Sequence, residues 1–200
     1  MNHLLNIERL KNSYFIMRHG KSLANQVELI VSSPYNGVNS YGLHEQGRDQ
    51  VVLSVEATPA LAEISLILSS DFQRARESAE IAHDLLGCQE DIVFHKHLRE
   101  RFFGEFELNS SENYQTVWDE DGLDASHTKF GVESVDAVMD RATTLITTLE
   151  GYFTDVSFLL VSHGDVLQIL QTAFHKLPAS EHRSLPHLET AEIRELMVTI

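Results

Sequence analysis

The chain has 200 residues, of which 42% are hydrophobic, enough to bury the core of one soluble domain spanning 1–200. A formal net charge of -15 excludes a broad basic surface, so neither nucleic acid nor an anionic membrane is expected as a partner. The single cysteine, Cys88, permits no internal disulfide and no cysteine-based zinc site, and the charged stretch Met1 to Lys11 is no signal peptide, so a cytoplasmic setting is expected.

The first element is an apolar run, Tyr14 to Met17, with the character of a buried strand. It runs straight into Arg18, His19 and Gly20. Charge is costly to bury, so these residues must lie where the strand leaves the core. Leu23 to Asn39, with Ser32, Ser33, Pro34 and Gly37, reads as a loop. A helix follows from about Glu45, with Val51, Val52 and Val55 on its apolar face, and Pro59 ends or kinks it. Ile64 to Ser69 is a second strand, apolar enough to be covered on both faces. Asp71 is placed to cap the next helix, in which Ala75, Ala79, Ala82 and Leu86 recur at helical spacing before Gly87 closes it.

Ile92 to Phe94 is a short strand. Residues 104–131 are irregular and acidic, with one helix near Glu112 to Glu120; they form either a solvated insertion or a lid over a site. Val135, Val138, Met139, Ala142, Leu145, Ile146 and Leu149 give the helix from Ser134 to Glu150 a continuous apolar face, closed by Gly151. Val156 to Val161 is another buried strand, running into Ser162, His163 and Gly164. The helix Asp165 to Lys176 stops before Pro178. Ala191 to Ile200 ends in an edge strand with Leu196, Val198 and Ile200 on one face.

Strands alternating with helices predict an α/β fold with a largely parallel sheet, and such sheets bind ligands beyond the carboxyl ends of their strands. Three strand ends converge there: Arg18-His19-Gly20, Ser69-Ser70-Asp71 with Arg74 in the following turn, and Ser162-His163-Gly164. Two Arg, two His and two helix starts on one edge make a pocket for phosphate or sulfate. A neutral imidazole is a competent nucleophile toward phosphorus, and paired guanidiniums stabilise the charge that develops. The leaving alkoxide needs a proton. Glu100 offers one if its pKa is raised, although its immediate neighbours Arg99 and Arg101 suggest a surface ion pair instead. Phe15 stands where a P-loop needs glycine, and there is no Gly-x-Ser-x-Gly elbow. His95, His97, His182 and His187 read as surface residues, and no metal or cofactor is expected.

The motif Arg18-His19-Gly20-Lys21-Ser22-x-x-Asn25 resembles that of the histidine phosphatase superfamily, in particular its phosphoglycerate mutase-like branch. Five further segments resemble that branch in the expected order: Leu43 with Gly47 and Gln50; Ser69-Ser70-x-x-x-Arg74-Ala75; Leu98-x-Glu100 through Gly104 to Glu107; Gly131-x-Glu133-Ser134; and Val161-Ser162-His163-Gly164. His44 stands where Thr is usual, Leu108 where Gly is frequent, and Glu189-Thr190-Ala191 lacks an Asn often seen nearby.

The resemblance implies a three-layer α/β/α fold with a mostly parallel central sheet. It implies His19 as the nucleophile that becomes phosphohistidine. Arg18, Asn25, Arg74, His163 and Gly164 would hold the phosphoryl group, and Glu100 would be the general acid. The expected activity is metal-independent hydrolysis of a small phosphorylated metabolite. A phosphoglycerate mutase is the alternative; its relatives usually have longer chains, and an acidic lid would disfavour the bisphosphate it must retain. A non-catalytic module that binds a phosphorylated ligand is the third reading.

Overall fold

In the computed structural model, which describes residues 1–199, the polypeptide alternates between strands and helices in the order the sequence suggests. Strand β1 (Ser13–Arg18) is followed by two one-turn helices, α1 (Leu23–Gln26) and α2 (Pro34–Gly37), and then α3 (Glu45–Glu56). Next come β2 (Leu66–Ser69), α4 (Gln73–Leu86) and the short β3 (Val93–Phe94). Helix α5 (Tyr114–Asp121) lies in the acidic segment. The chain ends with α6 (Val135–Tyr152), β4 (Ser157–Ser162), α7 (Gly164–Phe174) and β5 (Ile193–Leu196).

The sheet order is β3-β2-β4-β1-β5. The first four strands are parallel, and β5 pairs antiparallel with β1 at the edge. Successive side chains of a strand point to opposite faces. Accordingly Tyr14, Ile16, Phe158 and Leu160 pack with the apolar faces of α6 and α7, while Phe15, Met17, Leu159 and Val161 pack with α3 and α4. The result is the three-layer α/β/α arrangement. A smaller cluster of Ile30, Phe103, Val117 and Val132 anchors the acidic segment to the loop after α1.

Several local expectations need correction. The stretch read as a loop contains α1 and α2, because Ser22 forms a capping box with Asn25 and Ser33 caps a turn that opens on Pro34. Asp71 does not cap α4. Phe72 occupies that position without a side-chain bond, and Asp71 instead takes both prongs of Arg99 at 2.7 and 2.5 Å. Gly151 lies inside α6, which runs one residue further and closes at Phe153. The acidic segment is ordered rather than irregular: 3-10 turns at Gly104–Phe106, Ser111–Asn113 and Lys129–Gly131 flank α5. β5 stops at Leu196, before Val198, and Ile200 lies outside the described residues. Gly87 closes α4 as expected, with φ +62°. No helix among the described residues is long and apolar enough to cross a membrane.

Candidate active site

The carboxyl ends of β1, β2 and β4 bring Arg18, His19, Ser70, Arg74 and His163 together. The turn after β1 is tight for a visible reason. A Cβ on Gly20 would lie 2.3 Å from the Gly47 carbonyl oxygen, and one on Gly47 would lie 2.0 Å from that of Lys21. Gln50 Oε1 accepts from the Lys21 amide at 2.9 Å, so the start of α3 clamps the turn that carries His19.

His19 is buried, and its hydrogen bonds fix its tautomer. Arg74 Nε–H donates to His19 Nε2 at 3.0 Å; a guanidinium has only donors, so Nε2 carries the lone pair. Nδ1–H therefore donates to the Gly20 carbonyl at 2.7 Å. Burial and the nearby Arg74 and Arg18 hold the imidazole well below its usual pKa, so the ring is neutral. His163 lies edge-on to His19 with ring centroids 5.1 Å apart. Its Nε2 is 2.8 Å from Ser70 Oγ, and burial followed by Arg74 keeps it neutral too.

Arg74 Nη2 donates to the Val31 carbonyl at 2.8 Å, and Arg18 Nη1 donates to the Leu188 carbonyl at 2.8 Å and to His187 Nε2 at 2.9 Å. Each guanidinium is thereby oriented but not saturated. Arg18 Nε, Arg74 Nη1 and His163 Nδ1 are buried without a hydrogen-bond partner among the described residues. Leaving a buried donor unmade costs about 1–3 kcal/mol, more for a charged group. Two such guanidinium donors, with an unpaired histidine nitrogen nearby, suit a site for an anion. Arg18 and Arg74 line a small cavity of about 20 Å³ together with His19, Asn25, Glu100 and Tyr114, among others, and His163 packs against His19. Asn25 Oδ1 accepts from the Ser22 amide and hydroxyl at 3.0 and 2.9 Å, which leaves its amide hydrogens for a ligand.

Gly164 is not a liner of that cavity. It makes room for Arg18, whose Cζ would be 3.3 Å from a Cβ placed there. Glu100 is not a surface residue. Arg99 and Arg101 turn away to Asp71 and to Asp121 with Asp165, and the Glu100 side chain is only 8% exposed. Its Oε1 accepts from the Arg101 amide at 2.9 Å, and its Oε2 faces His163 Nδ1 at 4.0 Å. Burial, then the charge of Asp165, pushes its pKa up to about 7 against the pull of Arg74 and Arg18. A carboxyl that holds a proton near neutral pH beside an anion cavity is equipped as a general acid.

Two of the supposed surface histidines are part of the structure behind this site. His182 is buried beside Asp121 and Asp165, and His187 supports Arg18. Tyr114 of α5 lines the cavity although no pattern in the acidic segment singled it out. Glu107 binds the Ser32 and Ser33 amides at 2.8 and 3.0 Å and Asn36 Nδ2 at 2.9 Å, tying the acidic segment to the loop that holds Arg74 through Val31.

The family described as the histidine phosphatase superfamily (branch 1) matches the chain over residues 14–199. Among curated proteins, "Probable phosphoglycerate mutase GpmB" of Erwinia tasmaniensis is 28% identical over 177 residues, covering 86% of this chain and 78% of its own length. The protein of the same name from Photorhabdus laumondii is 29% identical with the same coverage. Among solved structures, a mycobacterial glucosyl-3-phosphoglycerate phosphatase complexed with VO3 superposes with a TM-score of 0.77 at 24% identity, covering 92% of this chain and 91% of its own. YhfR of Bacillus stearothermophilus superposes with a TM-score of 0.76 at 23% identity, covering 92% and 90%.

Proposed function

The chain belongs to the histidine phosphatase superfamily, and on that footing we propose that it hydrolyses a small phosphomonoester without a metal ion, through a phosphohistidine at His19. The observation that carries this reading is the His19 tautomer: a neutral ring with its lone pair on Nε2, held by Arg74 beside a cavity that Arg18, His19 and Arg74 line. The phosphoryl group draws Arg74 Nε off His19 Nε2, which frees the lone pair for attack. Arg18, Arg74, Asn25 and the Nδ1–H of His163 hold the three non-bridging oxygens, replacing the unmade bonds described above. The phosphorus–oxygen ester bond breaks as the nitrogen–phosphorus bond forms. Glu100 passes its proton to the departing alkoxide, and the resulting carboxylate then takes a proton from the water that hydrolyses the phosphohistidine. Gly164 serves indirectly, by seating Arg18. The segment 104–131 acts as the lid, with Tyr114 its contribution to the cavity.

A mutase is the second reading, and the name of the GpmB relatives favours it. A mutase must retain a bisphosphate and exclude water, and an acidic lid disfavours so highly anionic a ligand.

The deciding experiment is phosphate release from a panel of phosphomonoesters with chelator present, run on the native protein and on His19→Ala. Turnover that survives chelation and is lost in the variant is the expected result. Full activity in His19→Ala, or interconversion of phosphoglycerates faster than phosphate release, overturns it.

A further inference from the structure

Four parts of the chain send charged side chains to one buried spot behind the phosphate cavity. Arg101 is fully buried and makes a forked pair with Asp121 of α5, at 2.6 and 2.7 Å. It also donates to Asp165 Oδ2 at the start of α7, at 3.1 Å, and to the Glu133 carbonyl, at 2.7 Å. Asp165 Oδ1 accepts from Trp118 Nε1 at 3.0 Å and lies 3.8 Å from Arg183 and 4.0 Å from His182. Arg183 in turn covers the Trp118 ring at 3.7 Å. Burying ions in this way is often no more stabilising than a well-packed apolar cluster of the same volume. Stability alone therefore gives a weak account of it.

One bond links the cluster to the reacting groups: the Arg101 amide donates to Glu100 Oε1. We propose that Asp165 is a positioning residue for Glu100, fixing through Arg101 the peptide that holds its carboxyl group and, by its own negative charge, keeping that group protonated until the leaving oxygen takes the proton. The inference rests on the phosphatase reading, in which Glu100 is the acid. The charged and titratable groups around Glu100 are Arg18 from β1, Arg74 from α4, Tyr114 from α5, His163 after β4 and Asp165 from α7. Arg74, the Arg101 amide and Arg18 favour the carboxylate, and burial and Asp165 oppose it. Around Asp165, Arg101 and Arg183 partly cancel its charge. Burial lowers the pKa of His182, whose Nδ1–H donates to the Ala179 carbonyl, so its ring is a neutral neighbour.

Two substitutions then act in opposite directions. Asp165→Asn removes the negative charge and makes Glu100 a stronger acid; Arg183→Met uncovers that charge and makes it a weaker one. The test is a pH titration of protein labelled with carbon-13 in its glutamate carboxyls, with Glu100→Gln to assign the resonance. The expected midpoint falls by about one pH unit in Asp165→Asn and rises in Arg183→Met, as neighbouring charges dictate. The high-pH limb of kcat/KM for an alkyl phosphate moves with it. kcat/KM for 4-nitrophenyl phosphate, whose leaving group needs no proton in the phosphoryl-transfer step, does not follow that shift. An unmoved midpoint in both variants overturns the proposal whatever the activities. Should Asp165→Asn fail to fold, Arg183→Met at its part-exposed site decides alone. Expected shifts in a native protein that hydrolyses no ester would support the charge link and overturn the phosphatase reading instead.

Discussion

His19 carries its hydrogen on Nδ1 because Arg74 has only hydrogens to offer Nε2, and in the proposed mechanism this selects Nε2 as the nitrogen that reacts. It also sets a pH window. As the proposed nucleophile, His19 works without a proton, and its pKa lies well below 6.5, so it stays competent as pH falls through that value. As the proposed acid, Glu100 works with a proton, and its pKa is about 7, so kcat/KM is expected to fall as pH rises through neutrality. The pH profile for an alkyl phosphate is therefore expected to favour the mildly acidic side. Glu100→Gln is expected to lower the rate about 10²- to 10⁴-fold and to abolish the high-pH limb, both measurable by steady-state kinetics. An undiminished rate would remove Glu100 from the acid role. Arg18, His19, Arg74 and His163 were legible in the sequence because each stands beside a strand end with a marked apolar run. Glu100 was legible only through the family motif, since locally its charged neighbours suggested a surface pair, and the fold shows both of them engaged elsewhere. Asp165 was silent for a similar reason: an acidic residue in the first turn of a helix is ordinary local chemistry.

The elements were legible where apolar periodicity is strong, as in β1, β4, α4 and α6. The acidic segment was not, because its order comes from distant contacts: Ile30 with Phe103 and Val117, and Glu107 with Ser32, Ser33 and Asn36. One backbone position in it bears on a departure noted in the sequence. Leu108 adopts φ +60°, the left-handed region in which glycine sits without strain, which suits the glycine that the resemblance leads one to expect there. Such a conformation costs an ordinary residue about 1–2 kcal/mol, while glycine forfeits about 0.5–1 kcal/mol in chain entropy. Leu108→Gly is thus expected to leave the melting temperature equal or higher. Gly104→Ala is expected to lower it by several degrees, since φ is +53° there and a Cβ would meet the Phe130 carbonyl oxygen at 2.0 Å. Differential scanning calorimetry of the two variants checks both; a fall in Leu108→Gly as large as in Gly104→Ala would contradict the strain argument.

At the scale of the whole molecule, a net charge of -15 surrounds a pocket built for an anion. Arg74 is buried and Arg18 half-buried, whereas most of the acidic groups face solvent and repel an approaching phosphate ester. Salt screens the exposed charges over a Debye length of about 10 Å at 0.1 M and reaches the buried ones far less. Raising ionic strength is expected to increase kcat/KM severalfold for a doubly charged ester and to leave kcat nearly constant. A steep fall with salt would mean that attraction at the mouth outweighs the general field.

β1 lies between β4 and β5, both formed by residues near the other end of the sequence. His19 and His163 become neighbours only when that pairing closes. Pairings so distant along the chain are slow to form, because the loop entropy must be lost before the contacts return it. Helices α3, α4 and α6 have all their backbone bonds within reach long before then. Recovery of turnover during refolding would accordingly lag the return of helical circular dichroism. Catalytic competence reports the last stage of folding, when the two ends of the sequence lie side by side.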